Sequence, residues 1–281
     1  MLSETKKINL RDGECLHAHI NEKGRTRWLI VTHGLGEYSE RHNYMHSLFS
    51  QYMNICLYDL RGHGLSTGKR GHIEDFKDFA EDLGEVIEYL KDAYNMQEYV
   101  LFGHSMGGLI TASYMQRLVK SSFYPQKVYL SSPAVAGTGF LGSMFKLAPM
   151  SVMHLLKSLP FSIEVEGLLD LSRLSHDPRV YESYVTDPMN TLKIHTKLFF
   201  EILNESREVF SKPLRVNCEL YCSVGTMDGL VDPDSIIKYF SQVEKNAKLK
   251  VIKGGYHELH NEIDKYNNEY FAFLKDSLID H

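Results

Sequence analysis

The sequence has few of the features that mark exported, membrane-spanning or nucleic-acid-binding proteins. Its N-terminal stretch has no apolar run of signal-peptide length, and no segment holds the roughly 18 consecutive apolar residues that a membrane span needs. Lysine and arginine number 31 against 36 aspartate and glutamate residues, so there is no basic excess of the kind that binds nucleic acid. These absences predict a cytoplasmic protein with no nucleic-acid partner.

Cysteine is scarce, and the sequence carries no recognisable site for a metal or a nucleotide. Of the four cysteines, Cys218 and Cys222 form a CxxxC pair with no second pair, a spacing that does not suit zinc. This pair and Cys56 lie in apolar, strand-like runs, which favours buried thiols in a reducing compartment. The GxxxxGK[ST] pattern of a P-loop occurs nowhere. We therefore expect chemistry that needs no cofactor.

Apolar runs alternate with amphipathic segments along most of the chain. Two short runs flank Asp12-Gly13 and predict a hairpin. The clearest helical segment spans residues 75–94, where apolar side chains recur at helical spacing. This alternation predicts a mostly parallel central sheet flanked by helices. Six further runs are typical of buried strands: Trp28–Gly34, Asn54–Gly62, Tyr99–Ser105, Lys127–Pro133, Cys218–Gly225 and Lys248–Gly255.

The alternation stops between Pro133 and about Lys212. This region is rich in leucine, methionine and phenylalanine, above all over residues 140–159, and has helix-like pieces but no clear strand. An ordinary helical subdomain would explain the pattern, but an insertion between two strands of a sheet favours a mobile apolar lid. We therefore predict a core of residues 1–133 and 212–281 and an inserted helical cap of residues 134–211.

Ser105 is the candidate nucleophile, within the pattern GHSMG at residues 103–107. A strand-like run precedes it and a helix rich in small residues follows it, the context of a serine exposed at a sharp strand-to-helix turn. The N–H of Met106 would then point to where an oxyanion forms. The alternative is a serine that only caps the helix N-terminus.

A nucleophilic serine needs a base and a carboxylate that orients the base. His257 lies in the loop GGYHELH after the last strand-like run, and the alternative for it is a solvated loop histidine. Asp228 and Asp232 both follow the preceding run. Asp232 stands before Pro233, which is a helix-start signal, whereas Asp228 has no such structural role and lies nearer the strand end. We therefore assign the acid to Asp228 and the base to His257.

The loop HGLGEYS offers the second oxyanion donor. Its glycines let the backbone approach closely, and we place the donor at the N–H of Leu35. His33 in the same loop and His104 beside the serine are expected to be buried scaffold residues. In the Gly-rich stretch that follows, Asp59 and Arg61 are expected to satisfy local backbone groups.

Together these motifs resemble the α/β-hydrolases of the monoacylglycerol lipase/lysophospholipase family. The resemblance runs from Trp28 to the C-terminus and rests on HGLGEYSERH, YDLRGHGLSTGKRG, GHSMGG, GTMDGLVDP and GGYHELHNE, with LSHDPRVYESYVTDP resembling part of the family's cap. It implies an α/β-hydrolase fold with a helical cap over an apolar acyl tunnel. The site residues that it implies agree with those chosen above: Ser105 as nucleophile, Asp228 as acid, His257 as base, and the N–H groups of Leu35 and Met106 as oxyanion hole.

The expected function is hydrolysis of a single-chain acyl ester through an acyl-enzyme. Monoacylglycerol is the first choice of substrate, and a lysophospholipase or a short-chain carboxylesterase is the alternative. Remoter alternatives are an amide or carbon–carbon bond hydrolase and a non-catalytic binding protein of the same fold. The cap, through Phe140 and Phe145, would either line the tunnel or touch a membrane surface transiently, which would make the cytoplasmic protein peripheral at a membrane. Mammalian monoacylglycerol lipases carry a cysteine where this chain has Val231, so that target for thiol-directed inhibition is missing.

Overall fold

A computed structural model describes residues 4–138 and 162–279, together with Pro149 and Ser151. The strands in these residues are β1 (Glu4–Asn9), β2 (Cys15–Asn21), β3 (Arg27–Thr32), β4 (Asn54–Tyr58), β5 (Glu98–His104), β6 (Lys127–Ser131), β7 (Glu164–Glu166), β8 (Lys193–His195), β9 (Glu219–Gly225) and β10 (Lys248–Ile252). The α-helices are α1 (Tyr44–Phe49), α2 (Lys77–Tyr94), α3 (Met106–Arg117), α4 (Pro178–Thr186), α5 (Thr196–Val209), α6 (Pro233–Lys238) and α7 (Asp264–Leu278). Short 3₁₀ turns occupy Ser39–His42, Leu171–Arg173 and Leu259–Asn261, and a π turn occupies Tyr239–Val243.

Eight strands form one sheet in the order β1-β2-β4-β3-β5-β6-β9-β10. β1 pairs antiparallel with β2, and β2 pairs antiparallel with β4, whereas every pair from β4 to β10 is parallel. The hairpin predicted at Asp12-Gly13 joins β1 to β2, with Gly13 at a φ of +94°. The mostly parallel sheet and all six predicted strand runs are therefore confirmed, and the parallel strands all end at the same edge of the sheet.

The two faces of the sheet pack against different helices because successive side chains of a strand point to opposite sides. In β3, Trp28 and Ile30 belong to the apolar cluster that contains the buried faces of α2 and α3. Leu29 and Val31 belong to the second cluster, with α1 and α7. All four side chains are buried, and each such burial stabilises the fold by roughly 1.5–3 kcal/mol. This two-sided core holds the strand ends, and therefore the loops after them, in fixed positions.

The segment between β6 and β9 leaves and re-enters the sheet at neighbouring strands. It contains α4, α5 and a small antiparallel sheet of β7 and β8, two strands that the prediction of a helical cap did not include. Each of these strands has three residues with a single apolar side chain, which is too short for a hydrophobic pattern to reveal. The apolar stretch 140–159 lies outside the described residues apart from Pro149 and Ser151, and the division into core and cap stays a prediction.

Helix α5 of this segment is bonded to α3 through side chains. The Ser113 hydroxyl donates to the buried Glu205 carboxylate over 2.6 Å, and Arg117 pairs with the same carboxylate over 2.7 Å. Across residues 4–138 and 162–279, none of the helices combines the length and the apolar character that crossing a lipid bilayer demands.

Candidate active site

Ser105 stands at the junction of β5 and α3 with a backbone conformation that side chains rarely adopt. Its φ is +53° and its ψ is −117°. This conformation lies in the positive-φ half of the Ramachandran plot and costs a non-glycine residue about 1–3 kcal/mol. The backbone around it holds the turn, because the Ser105 N–H donates to the Ser131 carbonyl over 2.9 Å and its own carbonyl accepts from the Ala134 N–H over 3.0 Å. The side chain makes no capping hydrogen bond to α3. The residue thus occupies the N-cap position without acting as a cap.

The glycines on either side of Ser105 are required by close backbone contacts. A Cβ on Gly103 would lie 2.4 Å from the Gly107 carbonyl oxygen, and a Cβ on Gly107 would lie 2.1 Å from the Thr32 carbonyl oxygen. Both distances are far inside van der Waals contact. The GxSxG pattern is therefore what lets α3 start directly against β3 and present Ser105 at the tip of the turn.

Asp228 and His257 form a buried pair between the loops after β9 and β10. His257 Nδ1 lies 2.6 Å from Asp228 Oδ2, and Asp228 Oδ1 accepts from the N–H groups of Leu230 and Val231 over 2.8 Å and 3.0 Å. Burial lowers the pKa of His257, but the charge and hydrogen bond of Asp228 outweigh it, so that the pKa is raised above its ordinary value. The imidazole is thereby held with Nδ1 on the carboxylate and Nε2 available to another partner. Asp232 instead starts α6, with Pro233 as its first residue.

Ser105 and His257 line the same cavity, but the Ser105 hydroxyl makes no hydrogen bond to His257 in this structure. Such bonds are often long in the absence of substrate and shorten when it binds. The cavity is mainly apolar, with Glu37 and Glu258 also on its wall. Most of its apolar lining comes from the segment between β6 and β9, which supplies Ala134, Leu169, Leu171, Phe199, Ile202 and Leu203. The loop after β9 adds Val231.

Two backbone N–H groups flank the Ser105 side of the cavity. Leu35 and Met106 both line it, and within the described residues neither N–H has a hydrogen-bond partner. Met106 is the first residue of α3, where the helix N-terminus carries partial positive charge. The arrangement suits stabilisation of a negative oxygen formed beside Ser105.

His33, at the start of the HGLGEYS loop, is buried, as expected of a scaffold histidine. Its Nε2 accepts from the Leu60 N–H over 2.9 Å, so its proton is on Nδ1, which donates to the Gly34 carbonyl over 2.8 Å. Burial lowers the pKa of His33, and burial likewise holds the pKa of His104 well below its ordinary value. His104 is also buried, with its ring 4.9 Å from that of His257.

Sequence reasoning missed a buried ionic network that joins the loops on either side of the site. Arg41 donates to both oxygens of Glu258 over 2.7 Å and 2.6 Å, and its Nε lies 3.3 Å from Glu37. Burial raises the pKa of Glu37, but its neighbours His42, His104 and Arg41 outweigh it and hold the pKa of this carboxyl well below its usual range. The i, i+4 spacing of Glu37 and Arg41 in GEYSERH was a local pattern that could have indicated this ion pair.

The loop after β4 is built as expected around Asp59, whose carboxylate accepts from the N–H groups of Ser39 and Leu65 over 2.8 Å each. The expectation for Arg61 was wrong. Its guanidinium bonds to the carboxylates of Asp82 and Asp12 rather than to backbone, because two acidic side chains from other parts of the chain lie within its reach.

The segment between β6 and β9 also touches the backbone of the candidate base. The N–H of His257 donates to the Arg173 carbonyl over 3.3 Å, and the N–H of Glu258 donates to the Leu174 carbonyl over 2.8 Å. Within the described residues, no group of three or more histidine, cysteine, aspartate or glutamate side chains has the geometry to hold a metal ion.

Several known proteins are similar to this chain in sequence or in fold. A Mycolicibacterium smegmatis protein named monoacylglycerol lipase is 28% identical over 241 residues, which are 83% of this chain and 82% of that protein. An uncharacterized abhydrolase domain-containing protein of Dictyostelium discoideum is 26% identical over 240 residues, 84% of this chain, which spans about a quarter of that longer protein (25%). The crystal structure of a Paleococcus ferrophilus monoacylglycerol lipase superposes with a TM-score of 0.80 at 25% identity, covering 93% of this chain and 97% of that one.

The family described as serine aminopeptidase, S33, matches residues 25–264, which is most of the chain and every loop of the candidate site. The sheet order, the turn at Ser105 and the structural likeness agree with that match. The chain therefore belongs to the serine aminopeptidase, S33, family and has the α/β-hydrolase fold that its motifs led us to expect.

Proposed function

We propose that this protein is a serine hydrolase of carboxylic esters that cleaves monoacylglycerols. One observation carries the proposal. Ser105, at a left-handed turn, and His257, hydrogen-bonded to Asp228, line one cavity whose walls are mainly apolar. A serine that only capped α3 would require neither the buried pair nor the cavity.

In this proposal the reaction runs through an acyl-enzyme. The Ser105 oxygen attacks the ester carbonyl while His257 Nε2 takes its proton, and the carbonyl oxygen becomes an anion held by the N–H groups of Leu35 and Met106. The ester C–O bond then breaks, and His257 returns the proton to the departing alcohol. Water repeats the sequence on the acyl-enzyme, with His257 as base and then acid, and releases the fatty acid. Asp228 holds the tautomer of His257 and stabilises its charged form.

The chemistry of the cavity favours a neutral alcohol over a phosphodiester. Glu37 and Glu258 both line the cavity, and their carboxylates share the guanidinium of Arg41. A phosphate group placed there would meet like charge, whereas glycerol would not. The apolar walls suit one fatty chain. The names of the Mycolicibacterium smegmatis and Paleococcus ferrophilus relatives support the same substrate.

The segment between β6 and β9 is proposed to act as the cap over this cavity, with a core of residues 1–133 and 212–281 and a cap of residues 134–211. Its apolar residues Phe199, Ile202 and Leu203 supply one wall, which supports the proposal.

The proposal also includes transient contact of the cap with a membrane surface. Phe140 and Phe145, the residues chosen for that contact, lie outside the described residues. Co-sedimentation with phosphatidylcholine liposomes that is equal for wild type and a Phe140→Ala/Phe145→Ala variant would remove this part.

The proposed function is tested with Ser105→Ala against Ser113→Ala as a matched control in α3, the helix that follows Ser105. We expect the first variant to lose hydrolysis of 1-decanoylglycerol and labelling by a fluorophosphonate probe, because it lacks the attacking oxygen. Ser113 bonds to Glu205 away from the cavity, so its variant should keep both. Activity and labelling that survive in Ser105→Ala would show that the nucleophile is wrongly assigned.

A substrate panel tests the proposed specificity. Rates on 1-decanoylglycerol, decanoyl lysophosphatidylcholine, ethyl butyrate and an aminoacyl p-nitroanilide separate the lipase, the lysophospholipase, the short-chain esterase and the amide hydrolase. We expect the highest kcat/KM on the glycerol ester. A preference for the butyrate ester or for the anilide would defeat the lipid substrate.

A further inference from the structure

Glu37 lies where it can set the shape of the loop that carries the Leu35 N–H. Its Oε1 accepts the hydrogen bond of the Gly34 N–H, and the Gly34 carbonyl accepts from His33 Nδ1 over 2.8 Å. Both peptide units that meet at the Gly34 Cα are therefore held by side chains. Glycine has more backbone freedom than any other residue, so without such restraints this position would sample many conformations.

The direction of the Leu35 N–H follows from these restraints. The Gly34 carbonyl and the Leu35 N–H belong to one planar trans peptide unit, so they point in opposite directions. Because His33 holds the carbonyl on the buried side, the N–H points away from it, toward the cavity that Leu35 and Ser105 line. A rotation at Gly34 would turn this N–H away, and the Glu37 hydrogen bond resists that rotation.

The loop cannot be fixed by side-chain bulk instead. A Cβ on Gly34 would lie 3.1 Å from the Ser105 Cβ and 2.9 Å from Glu37 Oε1, so the loop packs directly on the nucleophile with room only for glycine. Glu37 itself is held in place because its side chain is 3% exposed and its carboxylate pairs with Arg41 and His42. Arg41 in turn binds Glu258, the residue after His257. One arginine thus joins the carboxylate under the oxyanion loop to the loop that carries the base.

We infer that Glu37 is a positioning residue for catalysis, whose carboxylate oxygen fixes the Gly34–Leu35 backbone so that the Leu35 N–H meets the oxyanion of the tetrahedral intermediate. This inference rests on the proposed function. It assigns Glu37 no contact with the alcohol of the substrate and no proton transfer.

The test compares Glu37→Ala with Glu37→Gln on two decanoyl esters, 1-decanoylglycerol and p-nitrophenyl decanoate. Removing an oxyanion donor costs about 10²–10³ in kcat, and misaligning one should cost Glu37→Ala roughly 30- to 100-fold on both esters, with KM changed less than about threefold. Glutamine keeps an oxygen that accepts from the Gly34 N–H, so Glu37→Gln should stay within about fivefold of wild type. Decyl trifluoromethyl ketone, which forms a tetrahedral adduct, should lose affinity for Glu37→Ala by the same factor as kcat/KM.

Glu205→Gln serves as the matched control, because Glu205 is a buried carboxylate with a serine and an arginine partner at a distance from this loop. All rates are divided by the concentration of active sites titrated with a fluorophosphonate, which removes any unfolded fraction. A loss confined to the glycerol ester would assign Glu37 to alcohol binding and overturn the inference. Equal losses in Glu37→Ala and Glu37→Gln, or an equal loss in Glu205→Gln, would also overturn it. Full activity of Ser105→Ala would instead overturn the proposed function.

Discussion

Replacing Asp228 by asparagine should abolish catalysis while leaving the loop largely in place. The carboxylate has two separate tasks: Oδ1 accepts from two backbone N–H groups, and Oδ2 lies 2.6 Å from His257 Nδ1. The asparagine oxygen can keep the backbone bonds, which places its NH₂ group against His257. Since that group only donates, His257 must accept at Nδ1 and carry its proton on Nε2. In this tautomer the imidazole has no free nitrogen to take the Ser105 proton.

The expected loss in kcat for Asp228→Asn is of order 10⁴, the size found when a triad carboxylate becomes an amide. The unfolding free energy should fall by only about 1.5–3 kcal/mol, the value of one hydrogen bond to a charged group. The pH profile gives an independent readout. His257 must be neutral to act, and its raised pKa places the midpoint of the acid limb of wild-type kcat/KM above about 6.5. Without the negative charge of Asp228, the acid limb of the residual activity should move to lower pH.

The assay is hydrolysis of p-nitrophenyl decanoate from pH 5 to 9, with Asp232→Asn as the matched control. Asp232 follows the same strand but starts α6 and bonds to Ser235, so its variant should keep kcat within a few-fold. The reasoning is refuted if Asp228→Asn keeps more than a tenth of wild-type kcat, or if Asp232→Asn is the inactive variant.

Three further results are expected. Gly107→Ala should lose about 3 kcal/mol or more in urea unfolding, because its Cβ would lie 2.1 Å from the Thr32 carbonyl oxygen, whereas Gly84→Ala in α2, with its nearest contact at 3.4 Å, should be neutral or stabilising; comparable losses in both would contradict this. His104 and His260 have pKa values held well below normal by burial, so the unfolded chain binds protons first as the pH falls. The unfolding free energy should therefore drop by at least about 1.4 kcal/mol from pH 7.5 to 5.5, and a flat profile would disprove the linkage. N-Ethylmaleimide should slow ester hydrolysis by less than about twofold, since none of the four cysteines, all of which lie in the described part of the chain, lines the cavity, and rapid inactivation would show otherwise.

The parts of the fold that the sequence predicts are those with a local cause. The strand runs of the central sheet are continuous and apolar because both faces of the sheet are covered, and GHSMG marks the turn at Ser105 because backbone contacts exclude side chains from Gly103 and Gly107. The meeting of Ser105 with His257 follows from topology, since parallel strands end at one edge.

What the sequence does not reveal depends on partners far apart in the chain. Arg41 and Glu258 are 217 residues apart, so no local pattern marks them as a pair. The bond of Arg61 to Asp82 cannot be predicted from local sequence either, because Asp82 lies 21 residues further along the chain, in α2. β7 and β8 are defined by their mutual pairing rather than by an apolar pattern of their own. In each case the structure is determined by a contact with a distant part of the chain, which the neighbouring residues in the sequence do not indicate.

The contact of the inserted segment with the His257 loop has a consequence for how new specificities arise on this scaffold. The segment supplies two main-chain carbonyls, those of Arg173 and Leu174, to the N–H groups of His257 and its neighbour. Every residue type presents the same backbone carbonyl along the same path. Side chains facing the substrate are therefore free to diversify, while the course of the backbone at this point is constrained. A segment grafted from a relative would have to reproduce that short path to keep the reaction, and could otherwise differ in sequence.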